Sequence, residues 1–151
     1  EEEEEEEGAS SRRFHFEAVV IMVPSFLVEG EDLHEKVASL AIRAQRHVLL
    51  EKPMCVSAAA AERLIQLHEA EGGGKVFAVA ENAQFWPEIL EALKCIESGA
   101  IGEVLTARAK FYESAGGPWA GDYLPDTWRC DASKLPSASF TFDGTSHWLR
   151  P

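Results

Sequence analysis

The sequence is poor in cysteine and contains no long hydrophobic run. Its three cysteines, Cys55, Cys95 and Cys130, are far apart and form no CxxC pair. This odd number is typical of neither a disulfide framework nor a zinc site, so we expect reduced thiols and a cytoplasmic location. No apolar stretch approaches the length needed to span a bilayer. The sequence does not begin with Met, so we expect a missing N-terminus and no readable targeting segment.

Positive charge is also scarce. Fourteen Lys and Arg stand against 26 Asp and Glu, giving a net charge of −12. This balance argues against nucleic acid or an anionic membrane as a partner. Residues Glu1–Glu7 supply much of the excess. Because such a run repels itself and buries no apolar surface, we predict an acidic disordered tail over residues 1–16.

Short apolar runs alternate with helical patterns in the middle of the chain. The runs predict strands buried on both faces, at Ala18–Val23, Val48–Leu50 and Val76–Ala80. The helices are predicted at Asp32–Arg46, at Ala58–Glu71 after an N-cap at Ser57 and before Gly72-Gly73-Gly74, and at Glu88–Ser98 between Pro87 and Gly99. This βαβαβα order predicts an α/β fold with a parallel, helix-covered sheet.

Helical spacing also predicts which side chains face inward. In the first helix these are Leu33, Val37, Leu40, Ala41 and Ala44, and in the second Leu64, Ile65 and Leu67. Beyond the third helix, Val104–Tyr112 alternates with a period of two, which predicts a strand in a different sheet. Residues Ser114–Ser139 predict a long loop, and Phe140–Leu149 the start of a helix.

Glu51-Lys52-Pro53 directly follows the second predicted strand. Parallel α/β sheets bind ligands at the carboxyl ends of their strands. A lysine there can donate a hydrogen bond to a substrate hydroxyl and stabilise an alkoxide. On the tripeptide alone, a solvated loop lysine is the commoner interpretation.

Asp143 and His147 are four residues apart and share one face if their segment is helical. A carboxylate beside an imidazole can fix its tautomer, and histidine commonly removes a hydroxyl proton near neutral pH. A surface ion pair or a buried histidine is the alternative. A metal set of Asp122, Asp126 and His147 has no supporting ligand spacing.

Two further strand ends carry small or polar groups. Val23-Pro24 ends the first strand, His34 opens the helix that follows, and Glu81-Asn82 follows the third strand. Taken singly, each is an ordinary turn or cap as readily as a cofactor contact. Trp119, Tyr123 and Trp128 could stack on a sugar ring or simply pack.

In this order, the segments resemble the Gfo/Idh/MocA family, which includes glucose–fructose oxidoreductase and inositol dehydrogenase. The motifs that carry the resemblance are AVVIMVP from Ala18, HEKVA from His34, RHVLLEKP from Arg46, KVFAVAEN from Lys75, IESGAIGEV from Ile96, and Trp128-Arg129 followed by Asp143 and His147.

The resemblance implies an NAD(P)-dependent oxidoreductase that transfers a hydride between NAD or NADP and a sugar, polyol or related secondary alcohol. It implies catalytic roles for Lys52, Asp143 and His147, and substrate contacts by these residues with Trp128 and Arg129. The cofactor would contact Val23, Pro24, His34, Glu51, Lys52, Pro53 and Asn82. No metal is implied.

The resemblance also implies two partial domains. Residues 17–86 would be the C-terminal part of a Rossmann-like domain. Residues 87–151 would be a linking helix and the start of a substrate domain with a mainly antiparallel sheet, through which homo-oligomers could form. The GxGxxG phosphate loop expected before Ala18 does not occur, and Val28–Glu31 lies in an apparent insertion. We therefore expect a fragment with weak or no dinucleotide affinity.

Two other functions remain open on the same scaffold. One is a non-catalytic NAD(P)-binding regulatory protein, against which the presence of Lys52, Asp143 and His147 counts. The other is a glycosidase that uses tightly held NAD as a transient oxidant.

Overall fold

The computed structural model describes residues 15–108, 110 and 128–135. The strands are β1 (Ala18–Ile21), β2 (Leu27–Val28), β3 (Glu31–Asp32), β4 (His47–Glu51) and β5 (Phe77–Ala80). The helices are α1 (Leu33–Arg43), α2 (Ala58–Glu71) and α3 (Pro87–Glu97), with 3₁₀ turns at Ala83–Phe85 and Trp128–Cys130. In this part of the chain, no helix is long and apolar enough to cross a membrane.

A parallel three-stranded sheet forms the centre of the fold. Its strand order is β1-β4-β5, and Val19, Val48 and Phe77 lie side by side across it. The predicted parallel sheet is thus confirmed. The first strand ends two residues earlier than predicted and the third begins one residue later.

One face of the sheet is buried and the other is open, so the prediction of strands buried on both faces is wrong. Helices α1 and α2 pack against each other, and Ile21, Val48 and Leu50 join them in one core. On the opposite face, Val20 is 57% exposed and Leu49 is 41% exposed. The difference arises because successive side chains of a strand point to opposite faces and these two helices cover only one.

Helix α1 starts where the sequence indicates, but its inward face is rotated from the predicted one. Asp32 is its N-cap, and the buried positions are His34, Ala38, Ala41 and Ile42. Leu40, which was predicted to face inward, is 65% exposed. The side of the helix that faces the core carries Ala38, Ala41 and Ile42, and Leu40 lies away from it.

Helix α2 has the predicted bounds. The Ser57 hydroxyl oxygen accepts a hydrogen bond from the Ala60 N–H, and the helix ends at Gly72. Leu64 is fully buried and Leu67 partly, whereas Ile65 is exposed, contrary to prediction. Gly73 has a positive φ of 59°, a backbone conformation that glycine adopts without strain.

A two-stranded hairpin, β2–β3, occupies the apparent insertion after Pro24. Glu29 and Gly30 form its tip with φ of 53° and 84°, and positive φ at both central residues is the hallmark of a type I′ turn. Residues 128–135 dock on this hairpin. The Leu27 N–H donates to the Lys134 carbonyl at 2.7 Å, and the Phe26 and Trp128 rings lie 5.5 Å apart.

Helix α3 begins at Pro87 and is followed by Gly99 with a φ of 71°, as the sequence predicts. It buries none of its side chains. A strand was predicted over Val104–Tyr112. Residues 104–108, which the structure describes, form no strand, so the prediction is wrong for this part. Val104 and Leu105 are exposed there, and alternation alone does not make a strand where no strand of the described residues pairs with the segment.

Several predicted features lie outside the described residues. They are most of the acidic tail, the loop apart from 128–135, the helix predicted from Phe140, and both Asp143 and His147. The division into a Rossmann-like part over 17–86 and a second domain over 87–151 stays a prediction.

Candidate functional site

The three parallel strands end together at one edge of the sheet. Ile21 of β1 pairs with Leu50 of β4, and Glu51 of β4 pairs with Ala80 of β5. The segments that leave these ends carry the predicted site residues: Val23 and Pro24, then Lys52 and Pro53, then Asn82. Such an edge is where open α/β sheets bind ligands.

His34 connects two of these strand ends. It is 0% exposed. Its Nε2 lies 2.8 Å from the Val23 carbonyl oxygen and its Nδ1 lies 2.9 Å from the Pro53 carbonyl oxygen. The sequence predicted a cofactor contact for His34. In the structure, both ring nitrogens instead contact backbone carbonyls, in the segments that follow β1 and β4.

Asp32 is a functional candidate that the sequence prediction missed. It is buried, and its Oδ1 accepts hydrogen bonds from the N–H groups of His34 and Glu35. Its Oδ2 accepts from the Val56 N–H at 2.6 Å. An aspartate directly before a helix is the available sequence signal, but that signal indicates only the helix cap and not the bond to Val56.

Lys52 directly follows the last residue of β4 and is half-buried. Its N–H donates to Oε2 of Glu51 at 3.0 Å, and the Lys52–Pro53 peptide bond is cis. The Glu51 side chain and the His34 ring therefore hold the backbone on the two sides of Lys52.

A cleft of about 730 Å³ runs along the whole of β5, from Phe77 to Ala80, and past Leu49 and Glu51 of β4. Its lining includes Glu51 and Asn82, two predicted cofactor residues, together with Gln84 and Phe85. The neighbouring Glu81 is buried and accepts a hydrogen bond from the Ala83 N–H at 2.9 Å. The volume is within the range of small-molecule pockets.

Ser25, next to Pro24, carries a buried hydroxyl. Among the described residues this oxygen has no hydrogen-bond partner. A buried polar group without a partner costs free energy, so this strand end offers one unsatisfied polar atom beside the predicted site.

Trp128 and Arg129, the predicted substrate residues, reach the same end of the sheet through the hairpin. The Trp128 ring contacts Phe26, and the Arg129 guanidinium carbon lies 4.3 Å above the indole. Within this segment, hydrogen bonds from Ser133 lower the pKa of Asp131 below its ordinary value. The segment is thus a folded turn docked against Phe26 and Leu27.

Cys55 is a buried thiol three residues after Lys52. Burial, followed by the charge of Asp32, raises the pKa of its thiol to about 12. A thiol held in its neutral form is a poor nucleophile, so Cys55 is a core residue. The described residues also contain no group of three or more His, Cys, Asp and Glu side chains that could hold a metal ion.

A family model described as an oxidoreductase family with an NAD-binding Rossmann fold, Gfo/Idh/MocA, matches residues 5–80. The match spans half of the chain and includes every strand of the parallel sheet. The chain belongs to this family. The resemblance and the Rossmann-like fold predicted from the motifs are thereby confirmed.

Solved structures agree with the family assignment. An NAD-binding oxidoreductase from Klebsiella pneumoniae is 31% identical with a TM-score of 0.69, and the alignment covers 88% of this chain and 32% of that one. An inositol dehydrogenase homologue from Azotobacter vinelandii, solved with NAD⁺, is 25% identical with a TM-score of 0.71 at the same coverage.

Among curated relatives, inositol 2-dehydrogenase 2 from Saccharopolyspora erythraea is 32% identical over 101 residues, which is 67% of this chain and 28% of the relative. The chain therefore spans only about a quarter of the length of that Gfo/Idh/MocA relative.

Proposed function

We propose that this chain is part of an NAD(P)-dependent oxidoreductase that transfers a hydride between a nicotinamide cofactor and a secondary alcohol of a sugar, polyol or related compound. The observation that carries the proposal is the His34 bridge, which joins Val23 and Pro53 at the carboxyl edge of the sheet. Family membership and the NAD⁺-bound relative from Azotobacter vinelandii support it.

The residues at this edge suit a dinucleotide. Val23 and Pro24 offer apolar surface, Asn82 and Lys52 offer hydrogen-bond donors, and the Ser25 hydroxyl lacks a described partner. Glu51 and Pro53 complete the predicted contacts, with His34 supporting them from behind. Bound NAD or NADP would supply the hydride acceptor or donor.

Side chains of this chain would remove the hydroxyl proton of the substrate and stabilise the charge on its oxygen. Lys52 would donate a hydrogen bond to the alcohol oxygen and stabilise the negative charge that develops on it. His147 would remove the hydroxyl proton, and Asp143 would orient His147 or the substrate. Trp128 and Arg129, docked beside the end of β1, would contact the substrate.

The remaining parts of the proposal concern the whole protein. Residues 17–86 would form part of the dinucleotide-binding domain, and residues 87–151 would begin a substrate domain with a mainly antiparallel sheet. Homo-oligomers would form through that domain, and the protein would act in the cytoplasm on a small-molecule substrate. Light scattering of the longest natural form tests the oligomer directly.

Substitution of Lys52 tests the catalytic assignment. In the longest natural form of the protein, we expect Lys52→Ala and His147→Ala each to lower NAD⁺- or NADP⁺-dependent oxidation of myo-inositol and glucose by on the order of 100-fold or more. Turnover is followed by NAD(P)H absorbance, and unchanged circular dichroism establishes that the variants fold.

Lys75→Ala is the matched control, because it removes the same positive charge. Lys75 lies at the amino end of the sheet, before β5. The turnover of this variant should equal that of the unsubstituted protein. Near-normal rates for both Lys52→Ala and His147→Ala would contradict the assigned roles.

A further inference from the structure

The turn from Lys52 to Val56 is fastened to the start of helix α1 at two points. The Pro53 carbonyl contacts Nδ1 of His34, and the Val56 N–H donates to Oδ2 of Asp32. These contacts lie one and four residues after Lys52. Both partners are buried, Asp32 as the N-cap of α1 and His34 in its first turn, so the turn takes its position from the start of α1.

The same imidazole also holds the end of β1. Its Nε2 lies 2.8 Å from the Val23 carbonyl, so a single ring spans the loops that leave β1 and β4. A buried polar ring costs desolvation that a leucine at the same inward position would avoid. Unlike a leucine, the ring makes polar contacts with two chain segments. It therefore fixes the position of these segments as well as filling space.

Lys52 itself has little backbone freedom. Its N–H donates to the Glu51 carboxylate, and the carbonyl oxygen of the following residue, Pro53, lies 2.9 Å from Nδ1 of His34. A group that stabilises charge on a reacting oxygen must be placed within a fraction of an ångström, and a misplacement of about 1 Å can cost on the order of 100-fold in rate. The His34 contact is therefore positioned to control where the Lys52 ammonium can reach.

We propose that His34, supported by Asp32, is a positioning residue for Lys52. The inference rests on the proposed function for the role of Lys52, whereas the fastening of the turn does not depend on it. Two experiments separate these parts.

The first experiment measures the fastening by hydrogen exchange in the 151-residue chain. In His34→Leu, which keeps apolar volume but removes both carbonyl contacts, we expect the amides of Met54, Cys55 and Val56 to exchange at least about tenfold faster. The control is His68→Leu, which removes a comparable 2.7 Å contact between a histidine ring and the Lys75 carbonyl at the amino end of the sheet. It should leave the exchange of these three amides unchanged.

His34→Gln provides a second variant, because its amide can donate to one of the two carbonyls. It should restore part of the protection, and it keeps the test valid if His34→Leu does not fold. Unchanged exchange at residues 54–56 in a folded variant would overturn the fastening, whatever the activity of the protein.

The second experiment is a double-mutant cycle on myo-inositol oxidation with NAD⁺ in the longest natural form. We expect His34→Leu to lower kcat on the order of 10- to 100-fold in the presence of Lys52, and to have little further effect in a Lys52→Ala background. Rate losses that simply multiply would overturn the positioning role while leaving Lys52 catalytic. If Lys52→Ala alone has no effect, the proposed catalytic role of Lys52 fails and the exchange result still stands.

Discussion

Leu49 and Leu50 are neighbours on β4 and have opposite environments. Leu50 is 0% exposed beneath α1 and α2, whereas Leu49 on the other face is 41% exposed. The same residue type one position apart thus separates a covered face from an open one. The covered face also carries the two residues that hold the turn after Lys52, because Asp32 caps and His34 belongs to the helix that packs on this face.

Truncation of the two leucines should show the difference between the two faces most strongly. We expect Leu50→Ala to lower the free energy of unfolding by about 2–5 kcal/mol, because it leaves a cavity in the core. Leu49→Ala should cost about 1 kcal/mol or less, since much of that side chain is already in water. Urea denaturation followed by circular dichroism gives both values. Equal losses would mean that the open face is covered in solution.

Removal of a helix cap should have a smaller effect, and only on the covered side. Ser57→Ala deletes the hydroxyl that caps α2, and we expect a loss of about 1 kcal/mol in unfolding free energy. Ser98→Ala, at the exposed end of α3, removes a hydroxyl that donates to the Cys95 carbonyl at 3.3 Å and should change stability much less. The same urea titrations compare them, and a Ser98 effect as large as that of Ser57 would refute the distinction.

The ion pair across the outside of α1 and α2 should matter least. Arg63 makes two hydrogen bonds to the Glu35 carboxylate, at 2.6 and 2.7 Å, and Glu35 raises the pKa of Arg63. Because water and salt screen such exposed pairs, Glu35→Gln should shift the urea midpoint less than Ser57→Ala. The shift should vanish in 1 M NaCl, and persistence at that ionic strength would indicate a larger structural role.

Local sequence signals predicted the elements well where one residue type decides the outcome. Ser57 and the glycines after Glu71 gave the bounds of α2, and Pro87 gave the start of α3. The inward face of α1 could not be predicted in the same way. Its buried positions are two alanines, an isoleucine and a histidine, so the apolar stripe that includes Leu33, Val37 and Leu40 gave the wrong phase.

The hairpin and the site depend on contacts between distant segments. Glu29-Gly30 marks a turn, but strands of two residues are too short for a periodic signal. The motifs predicted that Val23, Lys52 and Pro53 would share one edge of the sheet. They could not predict that a buried His34 ring joins two of them, since that requires the packing of α1 against β1 and β4. The meeting of Lys52 with His147 stays a prediction.

The tip of the β2–β3 hairpin and the turn after β4 differ in how many contacts surround them. A Cβ at Gly30 would meet nothing within 4 Å, whereas the turn after Lys52 is attached at Pro53 and Val56. Because nothing lies within 4 Å of that position, a side chain added at Gly30 would not contact α1 or the histidine bridge. Evolution can therefore reshape the rim above this end of the sheet, where residues 128–135 dock, while the lysine below it keeps its place.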